Sequence, residues 1–295
     1  MRPIVETHDL SKEFGSITAL DRVTTSLSAG SVVGLVGRNG SGKSTLLHHM
    51  TGLALPSAGR CLTFGVPAAD LGAAELSRLG VVHQDARLLT WMTVRQQLRY
   101  VASFYARWDR HREERLLHAL DLDAEAIVAT LSPGNLQKLA VILAIGHHPD
   151  LLLLDEPASG LDPIAREALL ELLLDLARED GTTIVVSSHQ LHDIERIVDW
   201  VVCLEKGQLK ANAPLDELKE QFGEWIVTSA GRPLPEQFAE RFILKQDVAA
   251  RQARLVVRDA GDQVESFATR HQVSVESRPM NLESMFPFLI IGDGA

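Results

Sequence analysis

Two groups of residues, about a hundred positions apart, have the types and spacing that phosphate chemistry requires. The segment Gly37–Thr45 reads GRNGSGKST and fits the phosphate-loop pattern GxxxxGK(S/T) at every fixed position. Backbone N–H groups of residues 40–44 can converge on phosphate oxygens at a helix start, where the helix dipole also favours anions. Lys43 would reach the β- and γ-phosphates of a nucleotide, and the Ser44 hydroxyl would bind Mg²⁺.

The second group is the carboxylate pair Asp155 and Glu156, which follows the apolar run Leu151–Leu154. That run is short enough to be a buried parallel strand, and open α/β sheets bind ligands at the carboxyl ends of their strands. Asp155 is placed to hold Mg²⁺, usually through water, and Glu156 to orient or deprotonate an attacking water. Two adjacent carboxylates beside four leucines would be costly without a cation. Together the two groups indicate an ATP-driven motor.

The elements that must position these residues follow an α/β pattern. Residues 1–30 are predicted to form short strands of a small antiparallel layer, and Val32–Val36 a buried strand before the loop. A helix is predicted over Ser44–Met50, a second over Pro163–Arg178, and a further strand over Thr183–Val186. The predicted fold is therefore a phosphate-loop NTPase with a mainly parallel sheet.

A helical insertion is predicted from about residue 86 to 148. From Thr93, which suits an N-cap, to Leu120 the pattern is helical and no strand-like run interrupts it. After a closing hairpin that ends near residue 211, Pro214 punctuates the chain, and the remainder alternates short strands and helices. We expect one domain over residues 1–212 and a small C-terminal α+β domain over residues 213–295.

Composition excludes some classes of function. The 295 residues carry a formal net charge of -10, which argues against binding nucleic acid by bulk electrostatics, so no nucleic acid is expected as a partner. Cys61 and Cys203 have no metal or redox spacing and are predicted to be small buried residues of a reducing compartment. No secretory signal or membrane span is predicted. The chain is expected in the cytoplasm, or on a membrane through a partner.

These motifs resemble those of the nucleotide-binding subunit of ATP-binding cassette (ABC) transporters, over about residues 3 to 212. Gly37–Thr45 matches the Walker A loop, Leu151–Glu156 matches Walker B, and Ser159–Asp162 matches the D-loop. Gln84 matches the Q-loop glutamine, and His189, preceded by two serines, matches the switch histidine. The resemblance implies the ABC cassette fold, with ATP and Mg²⁺ as ligands.

The resemblance also implies roles for individual residues. Gln84 would sense Mg²⁺ and the attacking water, His189 would contact the γ-phosphate, and Phe14 would either stack on adenine or simply pack under the small sheet. The catalytic set is Glu156, His189, Gln84 and Lys43. The Mg²⁺ ligands are Ser44, Gln84 and Asp155. The nucleotide-binding set is Phe14, Gly37, Asn39, Gly40, Ser41, Gly42, Lys43, Ser44, Thr45, Ser132, Gly134 and Asp162.

The family's signature sequence LSGGQ is altered here to LSPGN, at residues 131–135. In the family this segment touches ATP held by the opposite subunit of a head-to-tail dimer. Ser132 suits an N-cap and Pro133 the first helical position, while Gly134 and Asn135 keep their N–H groups for phosphate. Pro133 removes one donor and the close approach that glycine allows, so weakened but real hydrolysis is expected. The implied partner is a second copy of this or a similar subunit.

A transport function would require a separate transmembrane permease. Residues near 86–99 would line the groove that receives the permease, where Leu88, Leu89, Trp91 and Met92 either dock it or pack inside the helical insertion. The chain's ending, at residues 273–276 and 281–286, is similar to the bacterial exporter branch of the family. The expectation is an ATPase subunit held at the inner face of the cell membrane by an exporter permease.

Two alternatives remain at this stage. One is a non-transport ABC ATPase that acts on ribosomes or DNA, although the chain has neither the tandem cassettes nor the long coiled-coil insertion typical of such proteins. The other is a regulatory module that is gated by ATP and turns over slowly because of Pro133.

Overall fold

The computed structural model describes residues 3–84 and 87–291 and divides the chain into two compact units, Met1–Asn212 and Ala213–Ala295. Among the described residues, every helix is too short or too polar to cross a membrane.

The part of the chain up to Pro214 combines two sheets with seven helices in the described ranges. Its strands are β1 (Pro3–Phe14), β2 (Ile17–Ser28), β3 (Val32–Val36), β4 (Ala58–Thr63), β5 (Val66–Pro67), β6 (Leu79–Val82), β7 (Leu151–Asp155), β8 (Thr183–Ser188), β9 (Trp200–Glu205) and β10 (Gln208–Pro214). Its helices are α1 (Lys43–Met50), α2 (Ala73–Leu76), α3 (Val94–Ala102), α4 (Arg110–Ala119), α5 (Pro133–Ile145), α6 (Pro163–Glu179) and α7 (Leu191–Ile194).

The larger sheet has the strand order β10-β9-β3-β8-β7-β6, and its five strands from β9 to β6 run parallel. All residues of β3, β7 and β8 are buried, because apolar runs without polar alternation suit strands covered on both faces. Strand β3 has the predicted bounds, and β8 extends the predicted strand by two residues. The carboxyl ends of β3, β6, β7 and β8 meet at one edge, so the chain segments that follow them converge there.

The smaller sheet, of order β2-β1-β4-β5, is antiparallel, as predicted for the start of the chain. The prediction of several short strands was wrong, since β1 and β2 are single strands of 12 residues each. Their pairing contains register shifts, and Asp9 and Arg22 have positive φ angles of 45° and 48°. At bulges of this kind the pairing shifts but the strand continues. Polar residues at such positions can therefore look like the end of a strand when only the sequence is known.

The helical insertion begins as predicted but is not continuous. The Thr93 hydroxyl accepts a hydrogen bond from the backbone N–H of Gln96 at 3.2 Å and caps α3. The helical stretch predicted from Thr93 to Leu120 contains no strand, but it forms two helices, because α3 ends at Ala102 and α4 begins after Asp109, which accepts from the Arg112 N–H at 3.0 Å. The predicted first residue of the insertion, Ala86, lies outside the described residues.

Packing between distant residues explains this break. The Trp108 side chain lies directly against Gly146, where an added Cβ would come within 2.6 Å of the indole ring. The indole Nε1 donates to Glu113 at 2.6 Å, and Glu113 is itself buried. A continuous helix would not hold Trp108 in this position at the end of α5.

The second unit has the predicted α+β composition, and its four strands form an antiparallel sheet of order β12-β13-β11-β14. Its elements are α8 (Leu215–Gln221), β11 (Phe222–Thr228), β12 (Ile243–Val248), β13 (Gln252–Arg258), α9 (Val264–His271), β14 (Ser274–Pro279) and α10 (Leu282–Leu289). An aromatic core packs Trp225 and Phe238 against Phe267 of α9. Strand β12 was not predicted, because it lies at the sheet edge with no fully buried residue.

The two cysteines are free and buried, as predicted. Burial raises the pKa of the Cys61 and Cys203 thiols to about 12, so both stay protonated and inert at neutral pH.

Gly80 of β6 gives a test of how closely the helical insertion packs on the parallel sheet. A Cβ at this position would lie 2.3 Å from the Ala144 carbonyl oxygen of α5, which is backbone and cannot rotate away. We expect Gly80→Ala to lower the free energy of unfolding, measured by urea denaturation, by about 1 to 3 kcal/mol or more. The control is Gly72→Ala, whose Cβ would meet only the movable end of the Glu75 side chain. Equal stability of the two variants would contradict the packing described.

Candidate functional site

A cleft of about 430 Å³ lies at the edge where the parallel strands end. Its walls are formed by the glycine loop, by the ends of β6, β7 and β8, and by the β1–β2 hairpin. The predicted residues that line it are Phe14, Asn39, Gly40, Ser41, Gly42, Lys43, Ser44, Thr45, Gln84, Asp155, Glu156 and His189. Residues from five separate segments of sequence therefore meet at one concave surface of the size that small-molecule ligands occupy.

The glycine loop is held against its neighbours too tightly for side chains at two positions. Gly37 has φ 156°, and a Cβ there would lie 2.3 Å from the Leu204 carbonyl oxygen. Gly42 has φ 108°, and its Cβ would lie 2.5 Å from the Ala19 carbonyl oxygen. Gly37 does not itself line the cleft; it lets the loop turn out of β3 beside β9. The glycines of the pattern are thus required by torsion and by close approach of backbone.

Lys43 begins α1 and is buried in the loop. Its Nζ donates to the carbonyl oxygens of Gly37 at 2.9 Å and Arg38 at 3.3 Å. An ammonium group has three protons, so these bonds hold the amine across the loop and leave one donor for a ligand. The buried Ser41 hydroxyl has no hydrogen-bond partner among the described residues. The loop therefore offers a cation and an unpaired hydroxyl beside its N–H groups.

The two carboxylates at the end of β7 are both nearly buried, with Asp155 5% and Glu156 9% exposed. Glu156 has φ 52°, a left-handed conformation that is unfavourable for a residue with a side chain and persists only where neighbours hold it. Its Oε2 lies 2.7 Å from His189 Nδ1. Because an ionised carboxylate only accepts, Nδ1 carries the proton in this contact.

Ser187 is a residue of the site that the sequence analysis did not assign. Its hydroxyl donates to Asp155 Oδ1 at 2.6 Å and accepts from the Glu156 backbone N–H at 2.9 Å. Two features could have indicated it: Ser187 stands two residues before His189, and a polar residue at the end of an apolar strand next to β7 must lie near the carboxylates.

Gln84 and Phe14 occupy the rim of the cleft. Gln84 is exposed just beyond the end of β6. Phe14 ends β1 with a side chain that is 54% exposed, and Lys12 Nζ lies 4.9 Å from the centre of its ring. The ring therefore lines the cleft and is available to a planar ligand, in place of the alternative that it packs under the small sheet.

Ser132, Gly134 and Asp162 lie away from this cleft, at two helix starts that adjoin each other. Ser132 caps α5 by accepting from the Asn135 N–H at 3.2 Å, and Pro133 is the first helical residue, as predicted. A Cβ at Gly134 would lie 3.3 Å from the Gly160 carbonyl oxygen, so the signature segment packs on the D-loop segment.

Asp162 caps α6. It accepts from the N–H groups of Ala165 and Ile164, both at 2.9 Å, and these bonds hold the pKa of Asp162 below its usual range. This carboxylate is thus committed to its own helix. Ser132, Gly134 and Asp162 therefore do not line the cleft that the glycine loop of the same chain forms.

Comparisons with known proteins agree on the family. The family model described as ABC transporter matches residues 20–159. The chain is 33% identical over 228 residues to BcrA of Bacillus licheniformis, a bacitracin transport ATP-binding protein, covering 77% of this chain and 74% of that protein. It is 36% identical over 221 residues to MetN of Caulobacter vibrioides, a methionine import ATP-binding protein, covering 71% and 67%.

A solved structure agrees with both. It is a dimeric ATP-binding cassette in a post-hydrolysis state bound to ADP and Pi, and the chain superposes on it with a TM-score of 0.65 at 27% identity, covering 72% of this chain and 98% of the other. Because 98% of that cassette is covered, the structural similarity extends over the whole of it.

The close approach at Gly42 generates a test of the loop. Gly42→Ala should weaken ATP binding by at least roughly tenfold, because the new Cβ would push the loop off the Ala19 carbonyl and displace its N–H groups. The measurement is titration with a fluorescent ATP analogue. Gly181→Asn is the matched control, since Gly181 also has a positive φ, of 67°, but has open space around it and lies outside the cleft. Parent-like affinity in Gly42→Ala would contradict the loop geometry.

Proposed function

The chain belongs to the ABC transporter family and is one of its ATP-hydrolysing cassettes, and on that premise we propose that it uses Mg–ATP at a head-to-tail dimer interface to drive a separate membrane permease. The observation that carries the proposal is the convergence in one cleft of the loop lysine, Asp155, and the hydrogen-bonded pair Glu156 and His189.

The donor set at the cleft fits Mg²⁺. Ser44, Gln84 and Asp155 provide a hydroxyl, an amide and a carboxylate oxygen, and Mg²⁺ prefers such oxygen ligands together with substrate phosphates. Two nearly buried carboxylates beside a lysine that is held by the loop carbonyls also favour a further cation at this point. When bound, Mg²⁺ would neutralise charge on the β- and γ-phosphates.

The chain's own residues account for the remaining parts of hydrolysis. Lys43 and the N–H groups of the loop bind the phosphates, with Asn39 and Thr45 at the sides, and Phe14 stacks on the base. Glu156 orients the attacking water and accepts its proton, since His189 occupies only Oε2 and the described residues place no hydrogen bond on Oε1. His189 keeps the carboxylate in place through Nδ1–H and would donate to the γ-phosphate from Nε2, a contact that requires a proton on both ring nitrogens.

A second copy of this or a similar subunit completes the site. Ser132 and Gly134 would approach the partner's ATP at the start of α5, where N–H groups and the helix dipole favour phosphate, and Asp162 would lie in the same interface. The proposal is supported by exposure on this surface: Ser132 and Pro133 are exposed, and Ile164 in the first turn of α6 is 84% exposed. A solvent-exposed isoleucine beside two helix caps suits a surface that a partner covers.

A groove in the first unit is the proposed docking site for the permease. It has a volume of about 410 Å³ and runs between the helical insertion, at Val101 and Tyr105, and the core, at Leu53 and Leu76. Its sides are mainly apolar, and Leu53 is 67% exposed. The occupant would be the apolar face of a short helix from a cytoplasmic loop of the permease.

The four residues that the sequence suggested for this docking lie shortly after residues 85 and 86, which fall outside the described ranges. They divide between two roles. Met92 is buried, Leu88 and Leu89 are half-buried, and Trp91 is 72% exposed. The packing role therefore suits Met92, and a docking role suits Trp91.

We propose export as the direction of transport, at the inner face of the cell membrane. The support is the similarity of the C-terminal ending to the exporter branch and the likeness to a bacitracin transport protein. The methionine import relatives share the cassette, which carries no direction of its own, so the permease sets the direction.

Dimerisation can be tested with Glu156→Gln, which keeps the shape and the acceptor for His189 but removes the base. With ATP and Mg²⁺ this variant should elute from a sizing column as a persistent dimer and show no turnover, because bound ATP holds the two half-sites together. Without nucleotide it should elute as a monomer.

The control adds Ser132→Arg to the same background. This change places a bulky side chain at the start of α5 without touching the cleft, so it should restore the monomer in the presence of ATP. A Glu156→Gln protein that binds ATP yet stays monomeric would count against the shared site.

Docking can be tested with Leu53→Glu, expressed at native level in the host that carries the chain. Membrane association should weaken by roughly tenfold or more, because an unpaired carboxylate would be buried in an apolar contact, while ATPase activity of the isolated protein should stay near that of the parent. The readout is the fraction of protein that sediments with washed membranes. Leu244→Glu, at an exposed leucine of the second unit, is the control. Unchanged sedimentation of Leu53→Glu would refute this docking site.

A further inference from the structure

Ser187 makes two hydrogen bonds with the catalytic edge of the sheet and is completely buried. Its hydroxyl donates to Asp155 Oδ1 at 2.6 Å and accepts from the Glu156 backbone N–H at 2.9 Å. A hydroxyl has one proton and two lone-pair sites, so one side chain can satisfy both neighbours at once. The short donated bond is of the charge-assisted kind, in which the acceptor is an ionised carboxylate.

The register of the sheet places this hydroxyl beside the carboxylates. Strands β7 and β8 pair in parallel with Asp155 opposite Ser187, and the preceding pairs along both strands are entirely apolar from Leu152 with Ile184 to Leu154 with Val186. The Ser187 hydroxyl therefore follows three consecutive apolar pairs. It belongs to the last residue pair of the two strands, at the end of β7 where both carboxylates lie.

Glu156 is the residue that most needs such support. Its φ of 52° is unfavourable for a glutamate, and the backbone N–H that turns inward at this point is buried. Without an acceptor that N–H would be unpaired, and Asp155 would lose the donor to its Oδ1.

We propose that Ser187 is the positioning residue for both carboxylates of the ATP site. Its donated bond sets the orientation of the Asp155 carboxylate, so that Oδ2 is the oxygen presented to the cleft. Its accepted bond holds the Glu156 backbone in the left-handed conformation that brings Oε2 to His189. The proposal rests on the function proposed above, in which Asp155 serves Mg²⁺ and Glu156 serves the attacking water.

The chain supplies a matched control in the next residue. Ser188 is also buried, but its hydroxyl bonds only with Gln190, donating to the carbonyl oxygen at 3.2 Å and accepting from the N–H at 2.9 Å. Loss of that hydroxyl removes a local turn contact and leaves both carboxylates untouched. A comparison of the two serines therefore separates a role at the carboxylates from a general effect of removing a hydroxyl here.

The experiment compares the parent with Ser187→Ala, Ser187→Cys, Ser187→Thr and Ser188→Ala. Cysteine keeps nearly the shape of serine with a much weaker hydrogen-bonding group, so Ser187→Cys covers the case in which Ser187→Ala does not fold. The measurements are kcat and KM for ATP, the affinity for a non-hydrolysable ATP analogue with and without Mg²⁺, and thermal unfolding of the nucleotide-free protein. The affinity ratio with and without Mg²⁺ does not depend on turnover.

For Ser187→Ala and Ser187→Cys we expect kcat to fall by roughly 10- to 100-fold, the range found when residues that orient metal ligands are removed. The gain in analogue affinity that Mg²⁺ gives should shrink by a similar factor, while the metal-free affinity stays near that of the parent, because the glycine loop is unaffected. Ser187→Thr, which keeps the hydroxyl, should recover at least part of both quantities, and Ser188→Ala should behave like the parent.

Two results would overturn the positioning role. One is a parent-like kcat and Mg²⁺ gain in Ser187→Ala or Ser187→Cys. The other is an equal loss of affinity with and without Mg²⁺ together with lower thermal stability, which is what a purely structural serine would give. Failure of the proposed function is distinguishable, because the parent itself would then show no gain in affinity from Mg²⁺.

Discussion

A buried carboxylate is costly unless donors or a cation surround it, and this constraint organises the catalytic edge of the protein. Asp155 and Glu156 emerge together from a strand of leucines, where neither can be fully hydrated. Ser187 and His189, both from β8 and the residues after it, supply the donors that the chain itself can give. Both residues line the same cleft as the glycine loop, so the need for charge compensation and the place where Mg–ATP would bind coincide.

The glycine loop meets the same edge under a different constraint, which is space. Gly37 and Gly42 let the backbone pass within contact distance of the carbonyls of Leu204 and Ala19, and that closeness gathers the loop N–H groups at the start of α1. Lys43 then lies across the loop because its amine finds carbonyl acceptors there. Phosphate binding is in this way a property of backbone geometry, and the cleft needs no excess of basic residues in a chain whose net charge is -10.

The signature segment differs from the family pattern without losing its local structure. Ser132 caps α5 and Pro133 occupies the first helical position, where its fixed φ suits the helix and its missing N–H has no intrahelical partner to lose. Gly134 keeps close contact with the D-loop segment at Gly160. One chain thus presents a nearly complete cleft and, on another surface, a helix start suited to a partner's phosphate, which is the geometry expected of a subunit that works in pairs.

Local signals in the sequence were enough to define β3 and the caps at Thr93 and Ser132, because each depends on torsion preferences or on hydrogen bonds within a few residues. The resemblance to the family, and not a local signal, suggested Phe14, Gln84 and His189. Only the tertiary structure decided three other features. The break between α3 and α4 follows from Trp108 packing on Gly146, and the exposure of Trp91 beside the buried Met92 follows from how the insertion folds. The contact of Ser187 with Asp155 depends on the register between two strands that lie about thirty residues apart. Such pairings are fixed by the whole sheet, and no short stretch of sequence contains them.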